Sequence, residues 1–570
     1  MAKETGYQDK PWLAHYGKDV PETLEYEETH IVGFLEGSAE RFPNKTALNF
    51  QGYKVSYHEL NDMVNRFAAC LNDFGIKKGD SVAILLPNLI PCVVSYYAIL
   101  KIGAIAVMNN PLYTDRELYH QFNDSGSKVL ITLDLLANRM IDLRAKTNIK
   151  QIIYTSIGDY LPFPKNLLFK LIAKKKKLAA SVKSADNLYK WKDVLAKCSS
   201  KPHPVDISFD DVAMYQYTGG TTGVSKGAML THANLSKQIQ QISAWFPTFK
   251  KGNEIMLGSL PFFHAFGLSP CMNWSLRMGW EIILVPKPQP KPLIESINKY
   301  KPTIVAFVPT MIIGMLNHPD IVKADITSIR GCFSGSSPLP VEVIKAFENK
   351  TGAVIVEGFG LTEATPVTHV NPFVNGNRKI GSIGLPIPDT LCRIVDLVEG
   401  KTDIPVGETG ELLIKGPQVM KGYWNMPEET EKTLVDGWLH TGDIAKMDED
   451  GYFFVVDRKK DMIISCGLNV YPRNVEEVFY EHPKVQEACA IGIPHPTRGE
   501  AIKIFVVLKK GETATQEELL EFCTNKIARY KFPTEIEFKK ELPKTNVGKI
   551  LKKDLRDEET KKRKNQETKS

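Results

Sequence analysis

Apolar and polar positions change rhythm several times along the chain, and each change marks a predicted element. From about residue 31 to 200, helical spacing alternates with short apolar runs at 81–86, 105–108 and 128–132, a pattern that predicts parallel βαβ units. Similar runs follow at 254–257, 281–285, 304–308 and 353–356. Residues 211–217 alternate loosely and predict a strand. Residues 232–246 carry apolar side chains at helical spacing behind Thr231, a suitable N-cap. After about Gly407 the texture becomes short, turn-separated strands at 410–415 and 450–456. The polar string DRKKD at 457–461 predicts a boundary. Beyond it, segments 475–480, 487–491, 503–508, 516–527 and 536–538 predict a compact α+β unit of ~110 residues. The last twenty residues are charged and aperiodic, which predicts a frayed or disordered tail.

The fold class that follows is α/β. A large N-terminal domain (1–457) of βαβ-type subdomains plus a β-rich subdomain precedes a small α+β C-terminal domain (462–570). At 570 residues the chain exceeds what one core can organise, so several domains are the expectation. The most apolar stretch, 81–108, is interrupted by Pro87, Asn88, Pro91 and Lys101, and predicts a buried strand and helix rather than a membrane span. A net charge of +6 is too small to argue for nucleic acid, and no motif that reads it is present. The polar amino terminus lacks a signal-peptide core. Nine cysteines are scattered without a CxxC pair, so neither a zinc site nor a disulfide framework is expected, and a reducing cytoplasm fits. From Lys165 to Lys183 there are seven lysines and no acid. Leu167, Leu168, Leu171, Ile172 and Leu178 there can share one helical face, as in a solvated surface helix or a peripheral contact with anionic membrane.

The chemistry concentrates in short strings. YTGGTTGVSKG starts at Tyr217. In it, Gly219, Gly220, Gly223 and Gly227 let backbone N–H groups approach phosphate oxygens. Thr218, Thr221, Thr222 and Ser225 offer hydroxyls, and Lys226 offers a point charge. Ser225 precedes Lys226, so this is not the Gly-Lys-Ser/Thr loop of common NTPases. PFFHAFG contains His264, SGSSP contains Gly335 and Ser336, and GFGLTEA carries Gly358, Phe359, Gly360, Thr362 and Glu363. A carboxylate and a hydroxyl side by side after a buried run suit a Mg²⁺-nucleotide site, with Thr218 a further metal contact. WLHTGDIA contains Asp443, VVDRKKD contains Arg458 and Lys460, and PKTNVGKI ends near Lys549.

Together these strings resemble the motifs of the adenylate-forming enzymes, and their texture looks most like bacterial long-chain fatty-acid–CoA ligases. The resemblance covers nearly the whole chain. It implies that ATP, a fatty acid and coenzyme A are substrates, with Mg²⁺ as cofactor. It implies that Lys549 neutralises charge on the α-phosphate, Asp443 and Arg458 contact the ribose, and Phe359 faces adenine. Gly335 and Ser336 would border the base, and His264 would touch phosphate or gate the acyl pocket. It further implies that the C-terminal domain turns about a hinge (458–461) centred on Lys460, bringing Cys466, Gly467 and Asn469 to the CoA tunnel. Three positions depart from the family pattern: Phe359 stands for tyrosine, Cys466 adds a side chain to a usually bare turn, and Asn474 replaces a glutamate. Alternative readings are a medium-chain or aromatic acid–CoA ligase, an acyl-AMP ligase that does not use CoA, and a catalytically silent acyl-nucleotide sensor. A homodimer is compatible with all of them.

Overall fold

The computed structural model describes residues 6–173, 177–218, 225–373, 377–465, 468–495, 498–524, 526–545 and 548–567. Among them the chain builds four sheets. The first contains the parallel strands Ser81–Leu85, Ile105–Met108, Val129–Leu133 and Gln151–Thr155, and continues through the antiparallel pair Val212–Thr218 and Lys226–Thr231 to the short edge strand Gly422–Tyr423. The second runs parallel through Ile255–Gly258, Ile304–Phe307, Gly331–Ser334 and Val354–Gly360, then turns antiparallel into Val367–Val370. Strands covered on both faces must be apolar throughout, which is why these segments read as unbroken hydrophobic runs.

Helix Ile90–Lys101 is apolar on all sides because it is buried on all sides. Among the described residues no helix is long and apolar enough to cross a membrane. Helix His232–Trp245 starts where Thr231 caps the N–H of Asn234. Its buried glutamines are consumed as cross-links: Gln238 Nε2 donates to Val367 O, and Gln241 Nε2 to Pro388 O. This helix therefore ties the phosphate-loop hairpin to the second sheet and to the segment that enters the third.

The third sheet is the expected β-rich unit, antiparallel through Leu391–Val395, Gly410–Lys415, Trp438–Met447 and Phe453–Arg458. The fourth joins Ile463–Ser465, Leu468–Val470, Val485–His495, Gly499–Leu508 and Glu535–Phe538. Val475, Phe479, Ile502 and Ile504 lie in the apolar cluster on one side of it, and Cys489, Ile491, Phe505 and Leu555 in the cluster on the other.

Two sequence expectations need correction. The charged tail is a helix, Lys552–Glu567, not a frayed end. Its Leu555 is buried, its Arg556 pairs with Asp461 at 2.5 Å, and Lys503 Nζ meets its Glu559 Oε2 at 2.7 Å. One buried leucine and a set of ion pairs leave no apolar period to read. Cys70 and Cys198 form a disulfide with Cα atoms 5.4 Å apart. Their separation of 128 residues hides the pairing from any spacing argument.

Candidate active site

The lysine of the phosphate loop opens a strand. Thr218 and Lys226 face each other across the hairpin of Val212–Thr218 and Lys226–Thr231. Gly219, Gly220, Thr221, Thr222 and Gly223 lie outside the described residues. The far side of the hairpin is buttressed by helix Asp115–Asp124: His120 Nε2 lies 2.9 Å from Ser225 O, and Gln121 Nε2 donates to Ser225 Oγ at 3.3 Å. Tyr217 donates to Asp124 at 2.6 Å, and its ring lies where a Cβ on Gly227 would come within 3.3 Å.

Lys226 Nζ contacts Glu429 Oε2 at 2.5 Å and stands 5.0 Å above the ring of Tyr423. The Tyr423 hydroxyl donates to Glu363 Oε1 at 2.7 Å. Lysine and glutamate, far apart in the chain, are thus linked through Tyr423. Burial and the Glu363 carboxylate push the Tyr423 phenol up, so it stays a donor, while Lys226 draws Glu429 down. The sequence reading assigned no role to Tyr423 or Glu429, which sit in KGYWNMPEET. Helix Pro427–Thr433, begun by Pro427, delivers Glu429.

Thr362 and Glu363 form a short 3₁₀ turn beyond strand Val354–Gly360, whose last residues are Gly358, Phe359 and Gly360. A Cβ on Gly360 would fall 2.1 Å from Pro366 O, so only glycine permits this return of the chain. Phe359 meets His369 edge-on at 5.9 Å. Gly335 follows strand Gly331–Ser334 close to Phe266, whose ring a Cβ would approach to 3.2 Å, and Ser336 takes φ 71°. The PFFHAFG and SGSSP strings therefore touch.

Asp443 and Arg458 are register partners on adjacent strands. Arg458 Nε lies 2.8 Å from Asp443 Oδ1, while Asp443 Oδ2 is buried without a partner. Buried acceptors are nearly always satisfied, so this oxygen is suited to a ligand hydroxyl. Asp443, then Glu363 and Asp461, raise the Arg458 guanidinium, which places it within the field of all three carboxylates. Lys549 is brought into the same cleft from the C-terminal side. Arg458 first, then burial and Lys460, push it down to about 8 against the opposing pull of Asp443 and Asp461. Burial and the Lys549 cation push His264 down to about 4, leaving its ring neutral. The lysine loop lies directly on helix Pro309–Leu316: a Cβ on Gly548 would strike Thr310 Oγ1 at 2.1 Å.

Lys460 sits in the 3₁₀ turn Lys459–Asp461, its ammonium pushed down chiefly by burial, then by Arg458 and Arg556. Asn469 pairs with Ile464 on an exposed hairpin; Cys466 and Gly467 lie outside the described residues. For a metal, the described residues hold no group of three or more His, Cys, Asp or Glu side chains arranged around one point. One carboxylate beside a phosphate loop nevertheless fits Mg²⁺, which takes one or two carboxylates and fills its shell with phosphate oxygens and water.

Two family profiles match the chain: AMP-binding enzyme over residues 35–424 and AMP-binding enzyme C-terminal domain over 474–549. A long-chain-fatty-acid–CoA ligase of Bacillus subtilis (strain 168) is 48% identical over 553 residues, covering 97% of this chain and 98% of the relative. A protein of the same description from Escherichia coli O6:H1 is 40% identical over 563 residues, covering 96% and 98%. Among solved structures, the anthranilate CoA ligase AuaEII in complex with anthranoyl-AMP superposes with a TM-score of 0.82 at 28% identity, covering 95% of this chain and 98% of that one.

Proposed function

The chain belongs to the AMP-binding enzyme family, and from that premise we propose that it is an AMP-forming ligase joining a long-chain fatty acid to coenzyme A. The observation that carries this reading at the site is the Arg458–Asp443 pair, with Nε 2.8 Å from Oδ1 and Oδ2 buried without a partner, in the cleft that Lys549 also enters. Nucleotide, metal and catalytic cation would all meet there.

In the first half-reaction a fatty carboxylate oxygen attacks the α-phosphorus of ATP. The bond to the bridging oxygen breaks and pyrophosphate leaves. Negative charge builds on the α-phosphate oxygens, so fixed cations contribute more than a general base. Lys549 is the cation nearest that role, and Asp443 would accept from the ribose through its free oxygen. The loop from Thr218 to Lys226 would hold the outgoing phosphates. Glu363, with Thr218, would hold Mg²⁺, which when bound draws charge off the phosphate oxygens. In the second half-reaction the CoA sulfur attacks the acyl carbonyl, the C–O bond to AMP breaks, and the thiol proton passes to solvent.

Water would hydrolyse the mixed anhydride, so a C-terminal domain (462–570) that covers the site serves the chemistry. We take Lys460 as its hinge; a turn there would withdraw Lys549 and bring Asn469 toward CoA. The fatty substrate partitions into lipid, and we place the enzyme in the cytoplasm with peripheral contact to an anionic membrane. The deciding assay is pyrophosphate release from ATP with palmitate, with and without CoA. Release that runs to completion only with CoA supports the ligase. A single-turnover burst in both conditions would mean an acyl-AMP ligase, and no release would mean a silent sensor.

A further inference from the structure

The short helix Lys165–Ile172 holds the protein with one side and shows its apolar side chains to solvent on the other. Leu171 is 78% exposed, Leu168 55% and Leu167 50%, and Phe163 just ahead of the helix is 78% exposed. The segment is not loosely attached. The Phe169 ring packs on Gly158, where a Cβ would come within 2.5 Å of it, and Ala173 is buried. Lys165 Nζ donates to Gln51 O at 3.0 Å, which ties the helix to the hairpin tip at Gly52. Tyr53 of that tip stacks edge-on against Tyr160 and is itself exposed.

Cations flank the apolar face from three elements. Lys165 is close enough to Lys299, at the end of helix Pro290–Tyr300, for the two to repel. Lys192 lies over the Tyr160 ring at 5.5 Å. The nearby acid Asp159 is occupied by Thr155 Oγ1 and by the N–H of Ser156. Lys174, Lys175 and Lys176 lie outside the described residues and add only their charge in the sequence.

Building on the ligase reading above, we propose that this composite surface docks the enzyme on an anionic bilayer. Phe163, Leu168 and Leu171 enter the boundary between headgroups and acyl chains, and Lys165 and Lys299 bind lipid phosphate. Large apolar side chains grouped on a protein surface mark an interaction site, and a rim in which lysines outnumber the nearby acid Asp159 selects a negative partner. An acidic protein would answer the lysines but would leave the apolar side chains uncovered.

The test uses the full chain in flotation with phosphatidylcholine vesicles, with and without phosphatidylglycerol. Wild type is expected to float with phosphatidylglycerol alone, and less as ionic strength rises. Leu168→Ser with Leu171→Ser should lower partitioning by at least about tenfold, from the apolar area withdrawn. Lys165→Gln with Lys299→Gln should lower it and flatten the salt dependence. A Leu171→Trp variant should shift its emission to the blue on phosphatidylglycerol vesicles. Flotation of the double-serine variant like wild type, or an unchanged Leu171→Trp spectrum, would overturn the proposal; the second would leave the patch to an acidic protein. Pyrophosphate release with detergent-solubilised palmitate should be equal in wild type and the double-serine variant. Its absence in wild type would sink the ligase reading while leaving the docking result intact.

Discussion

Arg458 Nε lies 2.8 Å from Asp443 Oδ1, and the other oxygen of that aspartate is buried with no partner. Arginine thus orients the carboxylate while half of its accepting capacity stays free. A charge-assisted hydrogen bond of this kind contributes ~1.5–3 kcal/mol. Asp443→Asn should therefore raise KM for ATP about ten- to a hundredfold, read in steady state at saturating fatty acid and CoA. An unchanged KM would remove Asp443 from the nucleotide site.

Lys549→Ala should slow acyl-AMP formation by ~10²–10³, as removal of a charge-stabilising donor does. Thioester formation from supplied acyl-AMP should survive. Equal damage to both half-reactions would contradict the alternating-domain scheme. The pH dependence follows from the Lys549 value of about 8. The ammonium is present below that pH and lost above it, so kcat/KM for adenylation should fall as pH rises through about 8. Lys549→Arg, slower but permanently charged, should lack this falling limb.

Lys460→Pro should permit adenylation and block the second step. Proline fixes φ at about −65° and removes a donor, so the 3₁₀ turn around position 460 could not swing. The measurement is accumulation of acyl-AMP in the presence of CoA; normal thioester output would move the hinge elsewhere.

Tyr423→Phe removes the hydrogen bond that orients Glu363. Partners of a metal-ligating carboxylate typically matter by about 10–100-fold in metal affinity. A Mg²⁺ titration of pyrophosphate release should shift to higher concentration by at least the lower figure, with kcat at saturating Mg²⁺ much less affected. An unmoved titration would mean that Tyr423 only packs.

Leu555→Ala tests the corrected C-terminal helix. Leu555 is fully buried, so truncation should cost ~2–4 kcal/mol in urea unfolding of the C-terminal part. A surface tail would show no change.

The chain's periodicity was enough to place the parallel strands, the helix behind Thr231 and the β-rich unit, because strands buried on both faces and a capped amphipathic helix leave local signatures. The strings around Lys226 and Glu363 stood out by residue type, hydroxyls, glycines, a lysine and a carboxylate that suit a phosphate or a metal, whereas Asp443, Arg458 and Lys549 were singled out only by the family resemblance of their strings. What local sequence could not carry was pairing at a distance. Tyr423 matters through its contact with Glu363, Glu429 through Lys226, and Cys198 through Cys70, and each pair is joined only when separate elements pack. The tail from Lys552 reads as disordered because its helix is stabilised by Asp461 and Lys503, which belong to other elements. The leucines of the segment from Lys165 share one helical face in the sequence, but that this face is the outer one shows only when Phe169 takes the inner side. Tertiary packing chose which face was buried, because a helix this short is held by whichever large side chain finds a cavity, and here that cavity lies over Gly158.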